Sequence, residues 1–288
     1  MRIGEPARAK VNLTLSILGR RGDGYHELES LVAFARSSDT VIVEPEGDDR
    51  LTVSGPFAEC INGENLLAKA VRLLRDAAPH LRIGSVHLDK KLPVAAGLGG
   101  GSADAAALLR AVRRANEDRA GEIPWLEIAT QLGADVPVCF ADHPAVIRGR
   151  GENMTLMPAF PLMHTVLVNP RVPLPTASVF AALKAGPAFP TVQATALPPL
   201  SDVARLLDYM RARGNDLEDA AVRLVPEIAE IKAALAAQAG CLCAAMSGSG
   251  PTCFAVFPTS AHARHGATTI AASRPEWWIE CTVLEGAP

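Results

Sequence analysis

At 288 residues the chain is longer than one minimal core requires, so two domains flanking a cleft are the starting expectation. Apolar residues make up 49% and charged residues 20%, which excludes a disordered chain, and a net charge of −3 provides no basic field for a polyanion, so nucleic acid is excluded as a partner. No apolar run could span a bilayer, and Met1-Arg2-Ile3-Gly4-Glu5-Pro6 lacks the basic start and apolar stretch of a signal peptide, so a cytoplasmic protein without a membrane partner is expected.

In chain order, strict alternation from Lys10 to Leu18 predicts a half-buried strand, with Val11, Leu13, Leu15 and Ile17 inward and Lys10, Asn12, Thr14 and Ser16 on the polar face. The glycines of Gly19-Arg20-Arg21-Gly22-Asp23-Gly24 end it, and short apolar runs at 31–34, 41–43 and 51–53 continue an antiparallel sheet. Leu66, Leu67, Ala70, Leu73, Leu74 and Ala77 recur at helical spacing behind Asn65, which can cap them. A strand near 86–88 leads through Pro93 into a glycine-rich loop, and a helix runs from Ser102 to about Arg114. Trp125 to Leu132 forms a further helix, stopped by Gly133, so that Asp135 falls just beyond a helix end.

Prolines 158, 161, 170, 173 and 175 punctuate the chain around a strand at 165–168, which places a domain boundary near residue 158 and divides the chain into 1–158 and 159–288. Beyond it, helices near 177–183, 202–211 and 226–238 alternate with strands near 241–245, 252–257 and 278–284, and the Pro-, Ala- and Thr-rich stretch 186–199 reads as a surface excursion. Of Trp277 and Trp278, one is expected in the core and one at the surface. The six cysteines show no CxxC pair and read as free thiols, while His262 and His265 lack the Glu and third ligand of a zinc site.

The strongest chemical signal is Gly97-Leu98-Gly99-Gly100-Gly101-Ser102 between a strand and a helix. Glycines let backbone N–H groups close around phosphate oxygens, and the helix presents its positive end to them. No Lys follows the last glycine, so this is not a Walker A loop, and the acids nearest the expected ribose position, Glu117 and Asp118, lie in a polar stretch after the helix.

The segment Pro93-Val94-Ala95-Ala96-Gly97-Leu98-Gly99-Gly100-Gly101-Ser102-Ala103-Asp104-Ala105-Ala106 closely resembles the second motif of the GHMP kinases, and Met246-Ser247-Gly248-Ser249-Gly250-Pro251-Thr252 resembles their third. Ala7-Arg8-Ala9-Lys10-Val11-Asn12-Leu13, Gly22-Asp23-Gly24-Tyr25-His26-Glu27-Leu28, Gly133-Ala134-Asp135-Val136-Pro137 and Asn215-Asp216-Leu217-Glu218 narrow the likeness to the branch that phosphorylates CDP-methylerythritol in the non-mevalonate route to isoprenoids.

The resemblance implies an α+β protein with a ribosomal-protein-S5-like N-terminal domain that binds ATP, a ferredoxin-like C-terminal domain and an active site in the cleft between them. It implies catalysis by Lys10 and Asp135. Asp135 would accept or orient the acceptor's hydroxyl proton, and Lys10 would keep that carboxylate ionised or stabilise charge on the moving phosphoryl group. It further implies that residues 93–103 and Asn65 bind ATP, that Asn12 and Thr176 meet the substrate, and that Tyr25 and Phe180 stack on the cytosine whose edge His26 reads.

Several of these residues have a plainer reading as well. Asn65 also reads as a helix cap, Phe180 as the apolar anchor of a short helix, and Ser102 as an N-cap compatible with a phosphate or Mg2+ contact. Mg2+ is expected with ATP, and the assembly as a monomer or homodimer. The alternatives are an idle nucleotide-binding homologue, against which Lys10 and Asp135 are both retained, and a GHMP kinase for homoserine, mevalonate or a galactose-like sugar, against which Tyr25-His26 argues.

Overall fold

The computed structural model describes residues 2–20, 22, 26–61, 65–183, 200 and 202–286. Its elements in chain order are β1 (Ile3–Asn12), β2 (Ser16–Arg20), β3 (His26–Glu44), β4 (Leu51–Ser54), α1 (Leu66–Ala77), β5 (Ser85–Asp89), α2 (Gly100–Ala115), α3 (Trp125–Leu132), α4 (Val136–Ala141), β6 (Ala145–Gly149), β7 (Asn153–Leu156), β8 (Met163–Asn169), α5 (Thr176–Ala182), α6 (Val203–Arg213), α7 (Glu218–Leu224), α8 (Glu227–Ala236), β9 (Cys243–Met246), β10 (Cys253–Phe257), α9 (Ser260–Ser273) and β11 (Trp278–Glu285). This is the expected α+β composition. The described residues divide into two compact units interleaved along the chain, one drawn from Met1–Ala9, Ser37–Val94 and Gly99–Asp142, the other from Lys10–Arg36, Ala95–Leu98 and His143–Pro288.

In the first unit, α1 starts where the Asn65 side chain accepts from the Leu67 N–H at 2.9 Å, and it buries Leu67, Ala70 and Leu74 at helical spacing. α2 packs against α1, α3 and α4, and every residue from Ala103 to Leu109 is buried. A stretch buried on every side is expected to be apolar, and Asp104 is the exception within it. β5 pairs antiparallel with β3, Val41 facing Leu88, and parallel with β4, Val53 facing Leu88. The antiparallel expectation fails at β4 because α1 is a crossover that returns the chain in the same direction.

In the second unit the strand order is β3-β11-β8-β10-β9, all antiparallel, and β3 also pairs with β2 and β6. α8 and α9 pack on this sheet, and Val166, Val168, Ile228, Ile231, Phe257 and Ile270 belong to one buried cluster. Trp277 and Trp278 are both buried, so neither is the surface residue expected, and the Arg274 guanidinium lies 5.0 Å from the Trp277 ring centroid.

The single strand expected over 10–18 is interrupted at 13–15. Nor is it half-buried, since Lys10, Asn12 and Thr14 are as inaccessible as Val11 and Leu13. Backbone bonds from Lys10 N to Leu98 O (2.9 Å) and from Leu13 N to Leu31 O (2.8 Å) show why, because partners cover the strand within its own unit. The runs at 31–34 and 41–43 are parts of one strand, β3. Among elements not anticipated are β6, β7, α4 and α7. Among the described residues no helix is long and apolar enough to cross a membrane.

Candidate functional site

The glycine-rich loop departs from ordinary backbone at alternate positions, with φ of 51° at Ala95, 72° at Gly97 and 62° at Gly99. Left-handed residues at such intervals break the regular run of the backbone, as loops that bind anions through their N–H groups do. Buried Ala96 and Leu98 anchor the loop from below, leaving Ala95 and Gly101 exposed. Gly99 is the N-cap of α2, and its carbonyl accepts the first helical bond, from Ala103 N at 2.8 Å. The N–H groups of Gly100, Gly101 and Ser102 precede that bond and point out of the helix's positive end.

One expectation is corrected here. Ser102 is the third residue of α2 and not its N-cap, which is Gly99. Ala103 has its N–H bonded to Gly99 O and its methyl buried. Asn65 is a helix cap through its Oδ1.

Within the second unit, three sequence motifs converge on one hydroxyl, and a fourth braces the loop that carries it. Ser247 Oγ donates to Gly97 O at 2.9 Å and accepts from Asn12 N at 3.1 Å. Thr252 N donates to Ala96 O at 3.2 Å. Asn215 Nδ2 donates to Met246 O and Gly248 O at 3.0 and 2.8 Å, which explains the Asn in Asn215-Asp216. The Asp216 carboxylate accepts from Ile17 N at 2.7 Å. Thr176 at the start of α5 shares a 2.9 Å hydroxyl bond with Ser249, so the structure ties it to the second glycine loop.

Lys10 and Asn12 lie on one face of β1, and the Lys10 ammonium donates to Asn12 Oδ1 at 3.1 Å. Asn12 Nδ2 donates to Ser30 Oγ at 2.7 Å, which fixes the amide so that its oxygen faces the lysine. Asp135 occupies the N-cap of α4, yet its side chain makes no cap bond. Two arginines of the same unit hold the other end of that helix. Arg8 bonds Asp142 Oδ1 at 2.8 Å and Asp142 O at 2.7 Å, and Arg110 bonds Cys139 O at 2.6 Å.

His26 and Phe180 face each other with ring centroids 5.0 Å apart and planes inclined by 31°. Burial, with the nearby Arg20 charge, lowers the His26 pKa, so at neutral pH the imidazole carries one donor and one acceptor. The buried anchor of α5 is Val179, while Phe180 is only partly covered. Tyr25 lies outside the described residues.

A buried ion cluster went unnoticed in the sequence. The Lys90 ammonium lies 2.6 Å from Asp39 Oδ2 and 2.7 Å from Asp104 Oδ2, all three nearly inaccessible. The available signal was Asp104, a lone charge in the run Ala103 to Leu109. Burial pulls the Lys90 pKa down, but Asp104 and Asp39 more than offset it and leave it raised. Among the described residues no three His, Cys, Asp or Glu side chains group as a metal cage.

Comparison with known proteins identifies this arrangement. The model of the GHMP kinases N terminal domain matches residues 65–150 and that of the GHMP kinases C terminal matches 192–273. A 4-diphosphocytidyl-2-C-methyl-D-erythritol kinase of Rhodopseudomonas palustris (strain BisA53) is 45% identical, over 98% of this chain and 97% of its own. The crystal structure of a 4-(cytidine 5'-diphospho)-2C-methyl-D-erythritol kinase superposes with a TM-score of 0.78 at 34% identity, covering 99% of this chain and 100% of the other. A homoserine kinase from Cytophaga hutchinsonii, at 18% identity and a TM-score of 0.71 over 99% and 95% of the two chains, shares the fold.

Proposed function

The chain belongs to the GHMP kinases, in their 4-diphosphocytidyl-2-C-methyl-D-erythritol kinase family, and from that premise we propose that it transfers the γ-phosphoryl group of ATP to the 2-hydroxyl of 4-diphosphocytidyl-2-C-methyl-D-erythritol. In this reading it acts in the non-mevalonate route to isoprenoid precursors, in the cytoplasm. The observation that carries the choice of acceptor is the His26–Phe180 ring pair, an aromatic ring next to a neutral imidazole, which suits a cytosine and has no purpose toward homoserine or mevalonate.

Phosphoryl transfer needs an in-line hydroxyl, charge compensation and a proton acceptor, with little covalent work for the protein. In this reading the loop around Gly97–Gly101 and the first N–H groups of α2 hold the phosphates. A bond forms between the acceptor's 2-oxygen and the γ-phosphorus as the bond to the β-phosphate's bridging oxygen breaks. Asp135 takes or orients the hydroxyl proton. Lys10, held by the Asn12 amide, supplies positive charge to the transferring group. Mg2+ accompanying the nucleotide would be held with the help of the Ser102 hydroxyl near the start of α2. Bound there, Mg2+ would neutralise phosphate charge.

The test is turnover of the CDP-linked alcohol in parallel with homoserine, mevalonate and galactose, with the product's phosphorus position read by NMR. Selective phosphorylation at the 2-hydroxyl is expected. In Asp135→Asn, kcat should fall by about 100-fold or more with ATP affinity retained. Turnover of another acceptor in preference would sink the assignment, and a fully active Asp135→Asn would remove that residue from the chemistry.

A further inference from the structure

We propose that Asp39, Lys90 and Asp104 form a positioning triad that pins both ends of the glycine-rich loop for the nucleotide's phosphates, an inference that rests on the kinase reading above. None of the three needs to touch ATP to do this.

Asp39 works at the loop's entrance. Its Oδ1 accepts the backbone N–H groups of Lys91 and Leu92 at 2.5 and 2.7 Å, the two residues just before Pro93. Lys90 works at the exit, because its ammonium holds Asp104 Oδ2 at 2.7 Å in the first turns of α2, while a 2.6 Å bond returns it to Asp39 Oδ2. Entrance and exit are thus fastened to one buried point, and the loop between them spans only residues 93–99. The ammonium also lies directly under the helix start, since a Cβ built on Gly100 would be 3.1 Å from Lys90 Nζ.

A role in fold stability alone explains this poorly. Taking an ammonium and two carboxyl groups out of water is costly, and buried ion pairs are commonly replaceable by apolar residues without loss of stability. Nor is the cluster fully satisfied. Asp104 Oδ1 is buried without a hydrogen-bond partner, although the surrounding residues 103–109 are otherwise apolar. Two carboxylates share one ammonium, and what that arrangement secures is direction, because each oxygen that is bonded fixes a specific backbone segment flanking the loop.

The decisive variant is Lys90→Met combined with Asp104→Leu, which removes the ammonium and its Asp104 partner together and leaves Asp39 to bond Lys91 and Leu92. Hydrogen–deuterium exchange of the nucleotide-free protein and KM for each substrate are the two readouts. Exchange should accelerate about tenfold or more in peptides covering 93–104 and not in those covering 243–257, and KM for ATP should rise about tenfold while KM for the acceptor stays within about twofold. Asp104→Asn keeps an oxygen for the ammonium and should remain within about threefold of wild type in both readouts.

Unchanged loop exchange with unchanged KM for ATP in a folded double variant overturns the proposal, as does an equal rise of both KM values. If the double variant does not fold, Asp104→Ala is measured by the same readouts against the same criteria. Wild-type protein that leaves the CDP-linked alcohol unphosphorylated defeats the functional reading instead, and the exchange comparison still decides whether the triad holds the loop.

Discussion

Replacing Gly97 by Ala tests whether the two glycine loops are braced against each other. Gly97 has φ of 72°, where an L-residue costs about 1–2 kcal/mol. Its new Cβ would lie 2.5 Å from Ser247 O, 2.8 Å from Gly250 O and 2.9 Å from Gly250 N, all backbone atoms that cannot swing aside. Those atoms are themselves held, by Gly250 N to Ser247 O and Ser247 N to Thr252 O, each at 2.9 Å. Overpacking against such a wall adds about 1–3 kcal/mol. The sum, roughly 2–5 kcal/mol, corresponds to a fall in melting temperature on the order of 10 °C. Gly101→Ala is the control, because its Cβ meets nothing within 4 Å and Gly101 lies in α2, where Ala gains up to about 1 kcal/mol. Calorimetric melting of both variants decides the matter. A Gly97→Ala protein that melts with the wild type would refute the bracing, whereas loss of ATP binding in a fully stable Gly101→Ala would place the phosphates on the exposed side of the loop.

Phe180→Ala should raise KM for the CDP-linked acceptor about tenfold and leave KM for ATP unchanged, with Phe180→Tyr near wild type, and equal changes in both constants would count against the stacking role. Burial pushes Asp104 up to about 7, with Lys90 opposing and Asp39 adding, so the folded chain keeps a proton that the unfolded chain releases at a lower pH. Stability from this group is therefore fully present below the unfolded value and lost as pH rises through about 7. Urea midpoints of wild type minus those of Asp104→Asn should decline across that window and level off above it, and a flat difference would contradict the shift. Exposed Cys60 and Cys281 should label with a thiol reagent under native conditions, while buried Cys253, whose thiol burial pushes up, should resist until the chain unfolds, as measured by mass spectrometry.

Local framework signals were more legible in the sequence than long-range pairing. The Asn65 cap, the Gly133 stop and the glycine loop follow local rules, and each appears in the structure where residue type and spacing place it. β3 was harder, because Arg36-Ser37-Ser38-Asp39 looks like a polar turn between two strands. The strand runs through it because Arg36 makes a two-pronged pair with Glu285 of β11 at 2.6 Å, while Asp39 is buried on Lys90. Those partners are 249 and 51 residues away and no local pattern contains them. α4 was missed for a different reason. Its six residues are too few for a periodic signal, although Pro137 at its start is a helix-initiating cue.

The alternation at Lys10 to Asn12 shows how a correct pattern can support an incomplete inference. Period two does put both side chains on one face, but a polar face is not thereby a solvated one. Here it is lined with partners. Asn12 answers Lys10 with its carbonyl oxygen, Ser30 with its amide nitrogen and Ser247 with its backbone N–H. Gly248 must remain glycine for the same reason, since at φ of 57° its Cβ would stand 2.9 Å from Asn12 Oδ1. The Ser247 hydroxyl then carries the connection on to Gly97. The lysine, the amide, the serine and the glycines are thus terms of one geometric condition. That is why residues far apart in the linear sequence belong to one arrangement, and why finding several motifs in order says far more than finding any one.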